Sequence, residues 1–196
     1  MPASRRAHGR GLRVIAGEVG GRPLVAARGE RTRPTADRVK EAVFAALGPE
    51  RVEGTSVLDG FAGTGALAIE ALSRGAVRAV LVDRDPGAID AIRRNLRATR
   101  LTERATVQRR GLGAFLHDRP PADAPFDLVF LDPPYDLAPH ELDAALTALA
   151  APGWLAAGAT VVVEQRRRAT ALTLPSGWEA RWERAYGDTL VRIVGP

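Results

Sequence analysis

The chain has 196 residues, of which 45% are hydrophobic and 26% are charged, with no cysteine and a formal net charge of +5. This composition is typical of one folded globular domain, and it excludes a mainly disordered chain, a disulfide framework, a thiolate nucleophile and a cysteine-based zinc site. No apolar run approaches the ~20 residues that cross a bilayer, and the three histidines are scattered, so we expect a cytoplasmic protein without membrane or metal.

The first 40 residues carry most of the positive charge. They hold ten basic side chains against three acidic ones, a net charge of +7, whereas the remaining chain is at −2. A basic arm on a near-neutral body is typical of contact with a polyanion, most simply a nucleic acid backbone. The alternative is compositional bias, because every basic residue except Lys40 is arginine. Within the arm, residues 13–26 predict a small β-hairpin around Gly20 and Gly21.

Helices and strands alternate along the rest of the chain. Apolar spacing and capping residues predict helices over residues 35–47, 66–75, from Pro86 through Leu96, and 139–150. Short apolar runs predict strands over residues 55–59, 78–83, 105–109, 126–132 and 159–165. Strands of uninterrupted apolar character between helices indicate a parallel sheet that is covered on both faces. Residues 178–194 instead alternate apolar and polar side chains around a turn, which predicts an antiparallel hairpin at the carboxyl end.

The loop DGFAGTGALA (59–68) leaves a strand and enters a helix. Its glycines would let backbone N–H groups face a ligand, although a plain βα turn also needs them. Gly63–Ala68 fits G-x-G-x-x-A, so a dinucleotide site is the main alternative. Asp59 argues against it, because a carboxylate there repels a pyrophosphate and suits a cation such as S-adenosyl-L-methionine. Asp83 ends the next strand, where an acid can receive two ribose hydroxyls.

The stretch FDLVFLDPPYDL (126–137) ends an apolar strand in an acid, two prolines and a tyrosine. The prolines fix the strand exit and have no N–H, and an ionised Asp132 only accepts hydrogen bonds. This corner therefore needs a donor with two hydrogens, such as the exocyclic NH2 of a nucleobase. Asp132 and the Pro133 carbonyl would each hold one hydrogen, and Tyr135 would stack on the base. A plain rigid turn is the alternative reading.

In combination these motifs resemble the class I methyltransferases that use S-adenosyl-L-methionine to modify amino groups. The resemblance is carried by DGFAGTGALAIEALSRGA, LVDRD, Asn95, FDLVFLDPPY and the terminal YGDT hairpin. RVIAGEVGGRPL and RTRPTADRVKEAVF resemble the N-terminus of the RsmD family, bacterial enzymes that methylate the guanine N2 amino group in small-subunit ribosomal RNA. The likeness covers roughly residues 11–194. It implies a Rossmann-like α/β fold with a seven-stranded, mostly parallel sheet, an antiparallel last strand and a small N-terminal β-hairpin extension.

The resemblance also assigns roles to residues. The implied contacts with S-adenosyl-L-methionine are made by Asp59, Phe61, Ala62, Gly63, Thr64, Gly65, Asp83, Arg84, Gly111, Leu112 and Asp132. The implied catalytic residues are Asp132, Pro133, Pro134 and Tyr135, and the implied RNA contacts are Arg13, Arg22, Arg33, Thr35 and Arg38. Many class I enzymes have a polar side chain where this chain has Gly111. We therefore expect backbone groups around Gly111 and Leu112 to hold the adenine.

These inferences predict two units, a basic arm and hairpin over residues 1–34 that contacts RNA, and a methyltransferase domain over residues 35–196. The expected substrate is small-subunit rRNA or an assembling 30S particle, and the expected state is a monomer. Three alternatives stay open. Transfer to adenine N6 in DNA or RNA would use the same acceptors, an NAD-dependent reductase would use the glycine loop, and an RNA-binding module would need no catalysis.

Overall fold

The computed structural model of the chain describes residues 12–26, 34–134 and 136–196, without the side chains of residues 34–36. The helices are α1 (Pro34–Leu47), α2 (Ala66–Ser73), α3 (Pro86–Thr99), α4 (Leu112–Leu116) and α5 (Pro139–Leu149). The strands are β1 (Ser56–Asp59), β2 (Arg78–Asp83), β3 (Ala105–Arg109), β4 (Phe126–Leu131), β5 (Leu155–Arg166), β6 (Glu179–Tyr186) and β7 (Thr189–Gly195). Each predicted helix and strand is present, although β4 ends one residue before Asp132 and β5 begins four residues earlier than predicted.

The seven strands form one sheet in the order β3-β2-β1-β4-β5-β7-β6. Strands β1 to β5 are parallel, and β7 lies antiparallel between β5 and β6. The predicted seven-stranded α/β architecture with an antiparallel last strand is therefore confirmed. The carboxyl ends of β1, β2 and β4 meet at one edge, where the strand order changes direction between β1 and β4. Open α/β sheets bind ligands at such a switch point.

Side chains of the sheet alternate between two apolar layers, as the pleat requires. Val57 of β1 belongs to the layer covered by α1, α2 and α3, whereas its neighbour Leu58 belongs to the layer covered by α4 and α5. In the first layer the rings of Phe44 and Phe130 lie 5.6 Å apart. Both faces of the sheet are thus buried, which explains the continuous apolar character of its strands. Within the described ranges, no helix is long and apolar enough to cross a membrane.

Residues 12–26 form the predicted hairpin, which is held by one antiparallel bridge between Arg13 and Pro23. Its apolar side chains Val14 and Leu24 are buried in the layer that contains α1, α2 and α3. The turn approaches α2 so closely that a Cβ at Gly17, where φ is +85°, would lie 1.8 Å from the Ser73 carbonyl oxygen. Glycine is required at this point by both its conformation and the contact.

A buried carboxylate on α2 fastens the hairpin to the domain. Glu70 is fully buried and accepts hydrogen bonds from the backbone N–H groups of Ile15 at 2.7 Å and Ala16 at 3.1 Å. It also accepts from Arg74 Nε at 2.7 Å, and Lys40 Nζ lies 3.7 Å away. Burial lowers the pKa of Lys40, against the opposing pull of Glu70 and Asp37. Three chain segments therefore converge on one buried ionic cluster.

Candidate active site

A cleft of about 1840 Å³ opens where the carboxyl ends of β1, β2 and β4 meet. It brings together residues that are far apart in sequence, as the motif order predicts. The predicted site residues that line it are Phe61, Ala62, Gly63, Thr64, Asp83, Arg84, Gly111, Leu112, Asp132, Pro133 and Pro134. Asp59 and Gly65 lie behind this lining, where Asp59 is buried at the end of β1 and Gly65 precedes the first turn of α2.

The glycine loop is held by bonds within the protein. The N–H groups of Gly60, Ala62, Gly63 and Gly65 donate to Phe130 O (2.9 Å), Val82 O (3.1 Å), Asp83 Oδ2 (2.8 Å) and Ala62 O (2.6 Å). For these four groups the expectation that loop N–H groups face a ligand is wrong. The glycines serve the turn and its close packing instead. A Cβ at Gly65, where φ is +77°, would lie 3.0 Å from the Leu81 side chain.

Asp59 is the most unusual group behind the cleft. Its side chain is 1% exposed, Oδ2 accepts from the Ala68 N–H at 3.2 Å, and Oδ1 is buried with no hydrogen-bond partner among the described residues. Burial raises the pKa of Asp59 to about 7, the Ala68 N–H opposes this rise, and the charge of Asp83 adds to it. A buried carboxylate oxygen without a donor fits a ligand that brings a positive charge and N–H groups.

We expect Asp59→Asn to stabilise the protein at alkaline pH. The folded-state pKa near 7 exceeds the ordinary value of 3.8, so the folded protein holds this proton more tightly than the unfolded chain. In wild type, the contribution of the Asp59 proton to the free energy of unfolding is complete below pH 3.8 and is lost as pH rises through 7. Asparagine has no such loss, because it is uncharged at every pH. At 1.36 kcal/mol per pKa unit, the substitution should raise the free energy of unfolding above pH 8 by up to about 4 kcal/mol, and by little near pH 4.

Urea unfolding at pH 4, 6 and 8.5 tests this expectation, with the exposed Asp90→Asn as the control. Calorimetry at pH 8 should show that Asp59→Asn binds S-adenosyl-L-methionine at least about tenfold more weakly, since a charged hydrogen bond contributes roughly 1.5–3 kcal/mol. Equal stability of wild type and Asp59→Asn at pH 8.5 would contradict the burial of a charged carboxylate.

Two polar side chains fix the loop beside Asp59. Asp83 Oδ2 accepts from the Gly63 N–H at 2.8 Å, and Oδ1 accepts from the Asp85 N–H at 2.9 Å. Each carboxylate oxygen has a second lone pair, so Asp83 can also accept ribose hydroxyls. Asn95 is fully buried on α3, and its Nδ2 donates to the Thr64 carbonyl at 2.9 Å. Asp83 therefore positions the loop from β2 while Asn95 holds it from α3.

Asn95 also reaches the hairpin. Its Oδ1 accepts from the Val25 N–H at 2.7 Å, and its Nδ2 donates to the Val25 carbonyl at 3.0 Å. One side chain thus ties the glycine loop to residue 25 of the hairpin. In the sequence, Asn95 is only one position of a motif. The signal for its role is an asparagine on the same side of the helix as the apolar residues Ile89, Ile92 and Leu96.

Gly111 precedes α4 with φ −68° and ψ 147°, a backbone conformation that any residue adopts. A Cβ at Gly111 would meet nothing within 4 Å. We therefore expect Gly111→Asp to bind S-adenosyl-L-methionine within about tenfold of wild type, or 1.4 kcal/mol. Calorimetry checks this, and the strained Gly65→Ala should bind far more weakly. Complete loss of binding by Gly111→Asp would contradict the recognition of adenine by backbone groups.

The acidic corner, Asp132 to Pro134, lines the same cleft as the glycine loop. Asp132 follows β4 directly, is exposed, and lines the cleft together with Pro133 and Pro134. The Pro134 carbonyl accepts from the Leu137 N–H at 3.0 Å, which closes a turn after the prolines. Tyr135 lies outside the described residues. The strand end, the two prolines and this turn together hold the corner in place.

Three of the predicted RNA-binding residues lie outside the lining of the cleft. Arg13 and Arg22 are exposed on the hairpin, and Arg38 is exposed on α1. Arg22 Nη1 donates to the Ala98 carbonyl at 2.7 Å. Arg33 lies outside the described residues, and Thr35 belongs to α1 with a side chain that is outside them. On the α1 side the cleft is lined instead by Leu12, Val39, Lys40 and Val43.

The chain is similar in sequence and fold to known proteins. The family described as "Conserved hypothetical protein 95" matches residues 12–195. The chain is 35% identical over 184 residues to the ribosomal RNA small subunit methyltransferase D of Haemophilus influenzae, covering 93% of this chain and 92% of that protein. It is 35% identical over 182 residues to the Escherichia coli protein of the same name, covering 93% and 88%. A solved structure of yhhF from Escherichia coli has a TM-score of 0.81 at 32% identity and covers 93% of this chain and 96% of that chain. The fold is therefore the Rossmann-like fold of class I methyltransferases.

Proposed function

This chain belongs to the RsmD family, and we propose that it transfers a methyl group from S-adenosyl-L-methionine to the exocyclic N2 amino group of a guanine in small-subunit ribosomal RNA. The observation that carries the proposal is that Asp132 and the glycine loop line one cleft. Behind this cleft lies Asp59 Oδ1, which has no hydrogen-bond partner among the described residues. The names of the relatives support rRNA as the substrate. The guanine N2 target follows from the family resemblance and from the acceptor corner.

The residues of the cleft fit this cofactor better than a dinucleotide. Asp59 Oδ1 is suited to an ammonium group, whereas a pyrophosphate beside a buried carboxylate would be repelled. Asp83 is suited to the ribose hydroxyls, and the backbone around Gly111 and Leu112 to the adenine. When bound, S-adenosyl-L-methionine supplies an electrophilic methyl group on a sulfonium. The glycine loop, Asp83 and Asp59 would orient that methyl group toward the corner at Asp132.

The corner would prepare the amino group of the base. In planar guanine the N2 lone pair is delocalised into the ring and is a poor nucleophile. Asp132 and the Pro133 carbonyl would each accept one N–H, which lets the nitrogen pyramidalise and expose its lone pair. As the N–C bond forms, the bond between the methyl carbon and the sulfur would break, and the neutral thioether would leave with the electron pair of that bond. The nitrogen would then become acidic, and Asp132 would accept the released proton. Catalysis then rests on in-line placement and on acceptors aimed where positive charge develops.

Outside the cleft, the exposed Arg13, Arg22 and Arg38 would contact RNA phosphate around the target nucleotide. We propose that the enzyme works as a cytoplasmic monomer on free small-subunit rRNA or on an assembling 30S particle. Tyr135 would stack on the target base, in keeping with the way proteins hold unstacked nucleotides.

A transfer assay tests the proposal. The protein is incubated with S-adenosyl-L-methionine labelled in the methyl group and with unmodified small-subunit rRNA, 30S particles lacking the modification, or duplex DNA. We expect label in rRNA or in the particle and none in DNA. A parallel calorimetric titration should give heat with S-adenosyl-L-methionine and none with NAD. Label in DNA alone, or binding of NAD alone, would overturn the proposal.

A further inference from the structure

The exposed side of α3 carries a cluster of arginines. The net charge of −2 after residue 40 does not reveal this cluster. The cluster, called here the arginine face, consists of Arg93, Arg94, Arg97 and Arg100, all of them exposed. Arg93, Arg97 and Arg100 follow at intervals of four and three residues, so they align along one stripe of the helix and its cap. Asp90 is the one acidic residue between Pro86 and Thr99. The arginine face is therefore strongly positive.

None of these four arginines has a carboxylate of the described residues within ion-pair distance. Six other described arginines do: Arg51 pairs with Glu50, Arg74 with Glu70, Arg104 with Glu18, Arg110 with Asp118, Arg181 with Glu179 and Arg192 with Glu183. On the arginine face, Arg94 Nε instead donates to the carbonyl of Asp90 in its own helix. Like charges at these spacings destabilise an isolated helix. The negative end of the helix dipole stabilises Arg97 and Arg100 in the last turn and so offsets their repulsion. It has little effect on Arg93 and Arg94, which lie further from the end of the helix.

A second element brings another guanidinium to the same surface. Arg22 of the hairpin reaches the carboxyl end of α3, where its Nη1 donates to the Ala98 carbonyl at 2.7 Å. The bonds between Val25 and Asn95 hold the hairpin beside the helix. Because Arg22 uses one of its five N–H groups in this bond, it keeps donors for a ligand. Two chain segments separated by about 70 residues thus contribute to one positive surface.

The arginine face runs away from the cleft. Arg84, Asp85 and Ala88, at the start of α3, line the cleft, and the helix extends over 14 residues from there. At 1.5 Å per residue this is roughly 20 Å. The arginine face therefore lies within roughly 20 Å of the edge of the cleft, within reach of a polyanion whose target group enters the cleft.

We propose that the arginine face and Arg22 bind the phosphate backbone of RNA next to the target nucleotide. This inference rests on the proposed function, and it adds a surface on α3 to the basic arm. Guanidinium groups match phosphate oxygens in geometry and charge, and an unpaired row of them is complementary to a chain of phosphates. The same positive charge could attract an anionic membrane, so binding to anionic vesicles is measured as a competing outcome.

The test compares two double variants that remove the same charge. Arg93→Gln/Arg97→Gln changes the arginine face, and glutamine keeps a similar helix propensity. The control is Arg51→Gln/Arg181→Gln, at the end of the sheet opposite the cleft: Arg51 precedes β1, and Arg181 donates to the carbonyls of Ala159 and Pro196. Thermal unfolding first establishes that both variants fold, and the single variants Arg93→Gln and Arg97→Gln are measured as well.

The dissociation constant for an unmodified small-subunit rRNA fragment is measured between 50 and 300 mM salt. For Arg93→Gln/Arg97→Gln we expect a dissociation constant on the order of tenfold higher near 150 mM salt. The slope of log affinity against log salt should fall by about 1.4 to 1.8, which is two phosphate contacts. The KM for RNA should rise while kcat at saturating RNA and the affinity for S-adenosyl-L-methionine stay unchanged. The control should keep wild-type values.

An unchanged dissociation constant in the arginine-face variant, or an equal loss in the control, overturns this inference. So does tighter binding of wild type to phosphatidylglycerol vesicles than to the RNA fragment. Different outcomes would contradict the proposed function and the proposed surface. If wild type binds RNA through the arginine face and transfers no methyl group, the function is wrong and the surface stands. If wild type methylates RNA and the variants bind normally, the surface is wrong and the function stands.

Discussion

Asp132→Asn should lower kcat for methyl transfer by about 100- to 1000-fold, the range seen when one aligned electrostatic group is removed from an active site. Asparagine has a similar size and keeps one acceptor oxygen. It loses the negative charge that faces the developing positive charge on the amino nitrogen, and it cannot take up the released proton. Binding of RNA and of S-adenosyl-L-methionine should stay within about fivefold, or 1 kcal/mol, so the loss appears in kcat.

The matched control is Asp127→Asn, which makes the same change on β4 at the end away from the cleft, whereas Asp132 follows the other end of that strand. Asp127 Oδ2 accepts from the Ser56 N–H at 2.8 Å, a bond that an asparagine oxygen can also accept. This control should keep the wild-type kcat. Single-turnover rates at saturating RNA measure both variants. Wild-type rates for Asp132→Asn would remove Asp132 from the mechanism.

Glu70→Ala should cause the largest loss of stability. The substitution leaves the N–H groups of Ile15 and Ala16 without their acceptor and the buried Lys40 without its main counter-charge. Removing one partner of a buried ion pair typically lowers the free energy of unfolding by about 3–5 kcal/mol, and each orphaned donor adds to this. Chemical denaturation measures the change, and limited proteolysis near Gly17 reports whether the hairpin detaches first.

Glu50→Ala is the control for this experiment, since Glu50 pairs with Arg51 at 3.3 Å on the surface. An exposed ion pair of this kind contributes at most about 1 kcal/mol. A loss below 1 kcal/mol for Glu70→Ala as well would mean that the buried cluster does not fasten the hairpin.

The fold was largely predictable because its strands are buried on both faces. Short continuous apolar runs such as Leu128–Leu131, which alternate with helices along the chain, are typical of a parallel sheet covered on both faces. The alternating pattern after Trp178, interrupted by a turn, is typical of a hairpin. Helix α4 was missed because five residues show no helical period. The early start of β5 was missed because Ala156, Ala157 and Gly158 give no strand signal.

Where a predicted site residue ends a strand or directly follows one, its place at the edge of the sheet could be predicted from the sequence. Asp59, Asp83 and Asp132 stand at strand ends, and parallel strands bring such ends together at one edge. Glu70 and Asn95 lie inside helices, and the hairpin atoms that they bind are backbone groups 54 to 70 residues away, which no local pattern reveals. The glycine loop lies between β1 and α2 as predicted, but the N–H groups of Gly60, Ala62, Gly63 and Gly65 bind the protein itself, because the turn is closed by Asp83 and by neighbouring strands.

The proposed reaction is tested most directly by mass spectrometry of nucleosides from unmodified 30S particles after incubation with wild-type protein and S-adenosyl-L-methionine. The acceptor corner at Asp132 and the family of the chain predict one new nucleoside, N2-methylguanosine, which is absent when Asp132→Asn replaces the wild type over the same time. N6-methyladenosine in place of N2-methylguanosine would contradict the assigned target, and no new methylated nucleoside at all would contradict the proposed enzyme.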